Sequence, residues 1–174
     1  MTQQMNAKFT YKVVPSPVGK LTLVASASAL VAILWEKERP GRVRLGSMVE
    51  ASDDATLLEV ERQLGQYFKG ERNKFDVPLQ FIGTEFQKKV WSALLEIPYG
   101  ETRTYGEIAV KIGNPKAVRA VGAANGRNPI SIIAPCHRVI GSSGELTGFA
   151  GGLDTKETLL VLEDAQWGPN SGPR

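Results

Sequence analysis

A change of hydrophobic rhythm near residue 80 constrains this 174-residue chain to a mixed α and β architecture in two parts. Before that point apolar residues alternate. Phe9, Tyr11 and Val13 are spaced by two, as on a half-buried strand, and residues 21–24 and 30–35 follow as further apolar segments. Turns at 17–19 and 26–28 make these an antiparallel meander. Residues 37–52 read as a surface loop. Leu57, Val60, Leu64 and Phe68 then recur at helical spacing, with Ser52 or Asp53 as the N-cap and Gly70 as the stop. Residues 75–79 are a candidate return to the sheet.

Beyond residue 80 the signals are those of short helices. Thr84 with Gln87 and Thr104 with Glu107 are capping boxes, in which each side chain satisfies the other residue's free N–H. The first opens a helix with the apolar stripe Phe86, Val90, Ala93, Leu94 and Ile97, broken by Pro98 and Gly100. The second opens a helix through Ile112, stopped by Gly113. Asn114 then reads as the next cap and Pro115 as the first helical position, where its missing N–H costs nothing. That helix runs through Val118 and Val121 toward Gly126, and the pair reads as a helix-turn-helix. Asp154 with Glu157 starts a last helix ending near Glu163. The expected fold class is α/β (α+β). A small N-terminal antiparallel-sheet domain with a helix spans 1–80, and a mostly helical domain with the helix-turn-helix and a cysteine loop spans 81–167. A Gly- and Pro-rich tail, 168–174, is expected to be disordered.

Composition removes several classes. With 42% hydrophobic and 22% charged residues the chain is globular rather than disordered or fibrous. One cysteine cannot form an internal disulfide, and with one histidine it cannot close a structural zinc site. The apolar run at 30–35 is far too short to span a membrane, and the polar first residues are no secretory signal. A soluble cytoplasmic protein without metal or cofactor is expected. The net charge of +3 is uneven: from Ile108 to Gly144 there is no acid, while Lys111, Lys116, Arg119, Arg127 and Arg138 are basic. That leaves sixteen basic against eighteen acidic residues elsewhere. A local basic surface suits a polyanion such as nucleic acid, although a chance acid-free stretch accounts for the charge equally well.

Two clusters carry candidate chemistry. On the second helix of the pair, Ala117, Ala120, Gly122, Ala123 and Ala124 leave most of the surface bare, with Arg119 as the one long cation. Such a helix approaches DNA closely in a narrow groove, where an arginine can wedge into the base stack; alternatively the alanines pack on a neighbour and Arg119 is solvated. The only cysteine and only histidine are adjacent, in Pro135-Cys136-His137-Arg138-Val139. A thiol becomes a strong nucleophile when a base or nearby cation favours the thiolate, so His137, through a water, and Arg138 can activate Cys136; a buried inert cysteine is the plainer alternative. Asn128, before Pro129, suits a hinge that ties the corner's backbone together. Glu163, at the end of an apolar helix, is either a solvated end residue or the group that orients the imidazole.

Together these residues identify a resemblance. The segments Arg119-Ala120-Val121-Gly122-Ala123-Ala124-Asn125-Gly126, Asn128-Pro129-Ile130 and Pro135-Cys136-His137-Arg138-Val139-Ile140-Gly141 resemble the O6-alkylguanine-DNA alkyltransferases. Thr104-Tyr105-Gly106-Glu107-Ile108-Ala109 and Gly151-Gly152 with Lys156-Glu157 extend the likeness over about residues 84–163. The resemblance implies DNA repair by direct reversal: one irreversible transfer of the alkyl group from O6-alkylguanine to Cys136, with O4-alkylthymine as a second candidate substrate. It implies His137 as base through a water, Glu163 as its orienting partner and Asn128 as the brace of the turn. Tyr105 is implied beside the extruded nucleotide and as proton donor to the departing guanine. Arg119 is the finger that fills the vacated place, on a helix whose Ala117, Ala120 and Gly122 lie against DNA. Val139, through its carbonyl, and Phe149, through its ring, are implied to meet the guanine. Many relatives have tyrosine at the position of Phe149, so any contact of that hydroxyl is absent. Some relatives hold a zinc in the first domain, and this chain lacks the ligands. The implied partner is double-stranded DNA carrying O6-alkylguanine, approached from the minor groove by a monomer, singly or in clusters, with no membrane. Two alternatives stand beside this reading, a Cys-His hydrolase and a non-catalytic sensor of alkylation damage.

Overall fold

Strands β1 (Phe9–Val14), β2 (Leu21–Ser26) and β3 (Ala29–Trp35) form the expected meander in the computed structural model, which describes residues 8–167. Thr10 pairs with Ala25 and Val14 with Leu21, while Leu21 pairs with Trp35, and a bulge falls at Val24 and Ala25. Helix α1 (Ala55–Phe68) covers one face with Leu57, Val60, Leu64 and Tyr67. Its apolar stripe therefore ends on Tyr67, which is fully buried, rather than on Phe68, which is only partly covered.

Three local expectations for this part are corrected. Residues 48–50, read as loop, form strand β4 (Met48–Glu50) parallel to β1, so the sheet is mixed rather than purely antiparallel. The pairing occupies an edge of β1 that would otherwise expose free backbone groups. The N-cap of α1 is Asp54, not Ser52 or Asp53: its carboxylate accepts the Leu57 N–H at 3.0 Å, one position before the helix begins. Residues 75–79 make no strand. Leu30 N–H donates to Pro78 and Gln80 N–H to Leu30, both at 2.9 Å, and the ladder stops there because Pro78 has no N–H to give.

The second part contains α2 (Glu85–Leu94), β5 (Arg103–Thr104), α3 (Tyr105–Lys111), α4 (Val118–Gly126), a 3₁₀ turn (Cys136–Arg138), β6 (Val139–Ile140) and α5 (Leu153–Leu162). Both capping boxes are formed. Asn114 does not open α4. Its N–H bonds to Ala109 O at 2.9 Å while Gly113, at φ 82°, bonds to Val110 O, which is the left-handed closure of α3. Residues 114–117 then make a turn with Pro115 at its second position, and α4 starts at Val118 behind Ala117, without a side-chain cap. Likewise α5 is capped by Gly152 at φ 92°, and Asp154 lies inside its first turn. The expected disordered tail lies outside the described residues. Among these, no helix is long and apolar enough to cross a membrane.

The two parts share a core. Ile130, Ile132, Ile133, Ala134 and Leu159 pack into the cluster of sheet and α1 residues around Leu21, Leu23, Ile33 and Tyr67. Ile33 N–H donates to Pro129 O at 2.9 Å, and the Trp35 indole N–H to Ser131 Oγ at 3.1 Å. A second cluster joins Trp91, Leu94, Ile108, Val121 and Ala124 to Cys136 and Val139.

Packing at two glycines predicts opposite effects of one substitution. A Cβ on Gly83 would stand 2.5 Å from the Trp91 ring, which is fixed by its N–H bond to Ala124 O at 2.8 Å. Gly83→Ala is expected to lower unfolding stability by about 1–3 kcal/mol. Gly65, inside α1 with open space at its Cβ, gains up to about 1 kcal/mol as alanine. Urea midpoints of the two variants measure both; a Gly83→Ala midpoint at or above that of the parent contradicts the packing account.

Candidate active site

The segment after α4 is built as a rigid corner. Asn128 is buried; its Nδ2 donates to Ala134 O at 2.8 Å and its Oδ1 accepts the Ile130 N–H at 3.1 Å, so one amide spans the loop. Within it Ile132 has φ 74°, a left-handed conformation that a β-branched residue adopts at a cost of about 1–3 kcal/mol. The shared core around Ile132 offsets that cost. Ala134 N–H then bonds to Ile130 O and Cys136 N–H to Ala134 O, at 2.9 and 2.7 Å, and the 3₁₀ turn presents Cys136 and His137 in succession.

Cys136 is 3% exposed. Burial pushes its thiol up, opposed by a hydrogen bond from Asn128 and by the charges of Arg42 and Lys156. His137 is wholly buried; its Nε2 lies 2.7 Å from Glu163 Oε2, and its Nδ1 has no partner among the described residues. Burial lowers its proton affinity more than the Glu163 carboxylate restores it. The resting pair is therefore a neutral thiol beside a neutral imidazole, with Nε2–H donating to Glu163 and Nδ1 open to a proton.

Glu163 is the C-cap of α5 and is itself buried. Burial would raise its carboxyl, but hydrogen bonds and charge from His137 and Arg138 hold it well below the carboxylate range. Arg138 Nε and Nη2 donate to its two oxygens at 2.7 and 3.0 Å, and Nη1 donates to Ile97 O at 2.7 Å. Arg138 thus belongs to the interior, which corrects its place in the basic surface. Lys156 is also fully buried, with Nζ donating to Val139 O at 2.6 Å; burial pushes its ammonium down to about 8.

Tyr105, Val139 and Phe149 pack in the same apolar cluster as Cys136. The Tyr105 hydroxyl is 2.5 Å from Thr147 Oγ1, and burial pushes its phenol up, so it stays protonated. Phe149 stands edge-on to Trp35 with ring centroids 5.5 Å apart. Beside them opens a cleft of about 560 Å³ lined by Tyr105, Gly122, Ala123, Gly148 and Phe149, with Arg39 and Arg42 across from them. Arg39 donates to Gly126 O at 2.7 Å, closing the end of α4 from the first part. On α4, Val121 and Ala124 face inward, whereas Arg119, Ala120 and Ala123 are exposed and Ala117 and Gly122 partly so. Arg119 makes no hydrogen bond or ion pair among the described residues and lies apart from the Cys136 corner, on the outer face of the helix. Among the described residues no group of His, Cys, Asp or Glu is placed to hold a metal ion.

The sequence reading did not find Tyr67, Arg42 or the buried role of Lys156. Lys156, Leu159, Leu160 and Glu163 share one helical face, which is a signal that both charged groups point inward. Tyr67 extends the stripe of α1 in the same way. Arg42 lies in an irregular segment and gives no signal.

Comparison with known proteins bears on the whole chain. A family model described as the DNA binding domain of 6-O-methylguanine DNA methyltransferase matches residues 85–165, and one described as its ribonuclease-like domain matches 9–81. The methylated-DNA–protein-cysteine methyltransferase of Methanosarcina acetivorans is 56% identical over 153 residues, 88% of this chain and 97% of that protein. The one from Mycobacterium tuberculosis is 50% identical over 158 residues, 90% and 93% of the two chains. Among solved structures, Mycobacterium tuberculosis OGT in complex with DNA matches with a TM-score of 0.81 and 50% identity, covering 89% of this chain and 92% of that one.

The buried ionisable pair fixes how stability depends on pH. His137 binds a proton less tightly folded than unfolded, so below its ordinary 6.5 the unfolded chain takes up the extra proton and stability falls. Glu163 is depressed, so its contribution is present above 4.5 and is lost as pH drops further. Lys156, titrating at about 8 when folded, is largely protonated below pH 7 and adds only a small slope of the same sign at the upper end of this window. Urea unfolding between about pH 7.5 and 5 is expected to lose stability with a slope of up to about 1.4 kcal/mol per pH unit. A flat profile would contradict the buried neutral imidazole.

Proposed function

Because the chain belongs to the 6-O-methylguanine DNA methyltransferase family, we propose a division of roles for its residues in the alkyl transfer that defines such proteins. It repairs DNA by moving the alkyl group of O6-alkylguanine to a cysteine, and the sequence holds one cysteine, Cys136. The observation that carries the reading is an imidazole clamped at Nε2 and open at Nδ1 on the residue that follows Cys136 in the same 3₁₀ turn.

The alkylated oxygen lies inside a duplex, so the nucleotide must leave the stack, at a cost of a few kcal/mol. In this reading the small outer face of α4, with Ala117, Ala120 and Gly122, comes close to the DNA in the minor groove. Arg119, exposed and without a partner among the described residues, enters the gap and offsets part of the unstacking cost. The extruded base enters the cleft between Tyr105 and Phe149, toward Cys136 and the Val139 carbonyl. Lys156 fixes that carbonyl while leaving it a second lone pair. One protein monomer acts at one lesion.

In the transfer, the Cys136 proton passes through a bridging water to His137 Nδ1, and Glu163 stabilises the imidazolium formed. Sulfur attacks the alkyl carbon; an S–C bond forms as the C–O6 bond breaks, and the bonding electrons leave with O6. The guanine anion takes a proton from Tyr105, whose hydroxyl is held by Thr147, and the tyrosinate regains one from the His137 imidazolium by way of water, so no net charge is left on the protein. Asn128 keeps the corner in place throughout. The product is a thioether, which thiol reductants do not cleave, so each molecule acts once.

Peptide mass analysis after mixing with duplex DNA containing O6-methylguanine is expected to show one methyl on the Cys136 peptide, saturating at one per protein. Repeated turnover would favour hydrolysis instead, and binding without modification a damage sensor. Cys136→Ala is expected to abolish transfer and retain DNA binding; loss of binding in the folded variant would count against a purely chemical role. Arg119→Ala is expected to slow repair of duplex by at least about tenfold and to leave reaction with free O6-alkylguanine base nearly unchanged. Equal losses on the two substrates would refute the wedge.

A further inference from the structure

The first part of the chain reaches the Glu163 carboxylate through one hydroxyl. Tyr67, on the last turn of α1, is completely buried, and its O–H donates to Glu163 Oε2 at 2.5 Å. The same oxygen receives His137 Nε2 at 2.7 Å and Arg138 Nη2 at 3.0 Å; the other receives Arg138 Nε at 2.7 Å and the Gly100 N–H at 3.3 Å. The Tyr67 ring is held by Phe68, Phe75 and Tyr99, with centroids 5.3, 5.4 and 6.2 Å away, so the hydroxyl has little freedom to turn elsewhere. Burial and the Glu163 charge push its phenol far above the ordinary value, so it remains a donor at every working pH.

We propose that Tyr67 is a positioning residue for alkyl transfer, its hydrogen bond to Glu163 Oε2 setting how strongly that carboxylate holds a protonated His137 and hence the pH range over which His137 serves as base. The inference rests on the assignment of Glu163 and His137 given above. A donor on a carboxylate withdraws charge from it. With Tyr67 in place the carboxylate fixes the imidazole without drawing in a permanent proton. Without it the same oxygen attracts the imidazolium more strongly. Other groups facing the pair are fixed in charge or weaker in effect. Arg138, on the same turn, contributes a guanidinium, and Lys156 on α5, pushed down to about 8, disfavours the imidazolium more weakly. Tyr99 bonds to Leu162 O at 3.3 Å rather than to the carboxylate, and Cys136 is neutral at rest. No second residue of α1 hydrogen-bonds to Glu163 among the described residues.

The test is the rate of methyl transfer from O6-methylguanine duplex to Cys136 as a function of pH, for the full chain and for Tyr67→Phe, which keeps every ring contact. Tyr67→Phe is expected to move the acid limb upward by about half a pH unit or more, a loss of at least about threefold at pH values well down that limb, recovering toward pH 8. Tyr99→Phe, which removes a neighbouring, partly buried hydroxyl, is expected to leave the limb in place. Should Tyr67→Phe fail to fold, 3-fluorotyrosine placed at position 67 keeps the shape with a stronger donor, and moves the limb downward. A uniform loss at all pH values, or an unshifted limb, overturns the inference and leaves the transfer reading intact. If the parent protein puts no methyl on Cys136 at any pH, the transfer reading falls and this inference with it.

Discussion

A carboxylate taken out of water must be surrounded by donors, and Glu163 gathers five hydrogen bonds from Tyr67, Gly100, His137 and Arg138. Those donors come from α1, from the segment before β5 and from the 3₁₀ turn, while Glu163 itself ends α5. Four separated stretches of chain therefore have to be in register before the charge is satisfied. Removing any one partner leaves a buried ion less well compensated than in water, which makes the cluster a condition for the fold as well as for the imidazole's orientation.

The rest of the architecture delivers these groups. The corner at 128–136 runs between the sheet and the second helical cluster, with isoleucines in one core and Cys136 in the other. Its hydrogen bonds with Asn128 are internal, and those with Ile33 and Trp35 tie it to the sheet. Arg42, its side chain fully covered, donates to the Asn128 carbonyl and to Glu38, so an irregular segment of the first part braces the same corner from outside. The first part is thus built into the site, and an account of the site that stops at the second part leaves out the residues that hold it.

Much of this was legible in the chain before any coordinates. The meander, the two capping boxes and the corner around Cys136 follow from local rules, because each is decided by residues within a few positions of one another. At Asn114 two local rules compete, and the closure of α3 takes the residue that would otherwise open α4. The inward turn of Arg138 and Lys156 was hidden by their charge, since long cations are seldom buried unless a specific acceptor waits for them. Tyr67 and Glu163 meet across 96 positions, and nothing local to either announces the other.

The depth of the thiol has a consequence for a protein that is consumed by its own reaction. At 3% exposure, and with burial favouring its protonated form, Cys136 is a poor target for oxidants and small electrophiles arriving from solvent. Seclusion of that kind preserves a finite stock of molecules against wasteful spending.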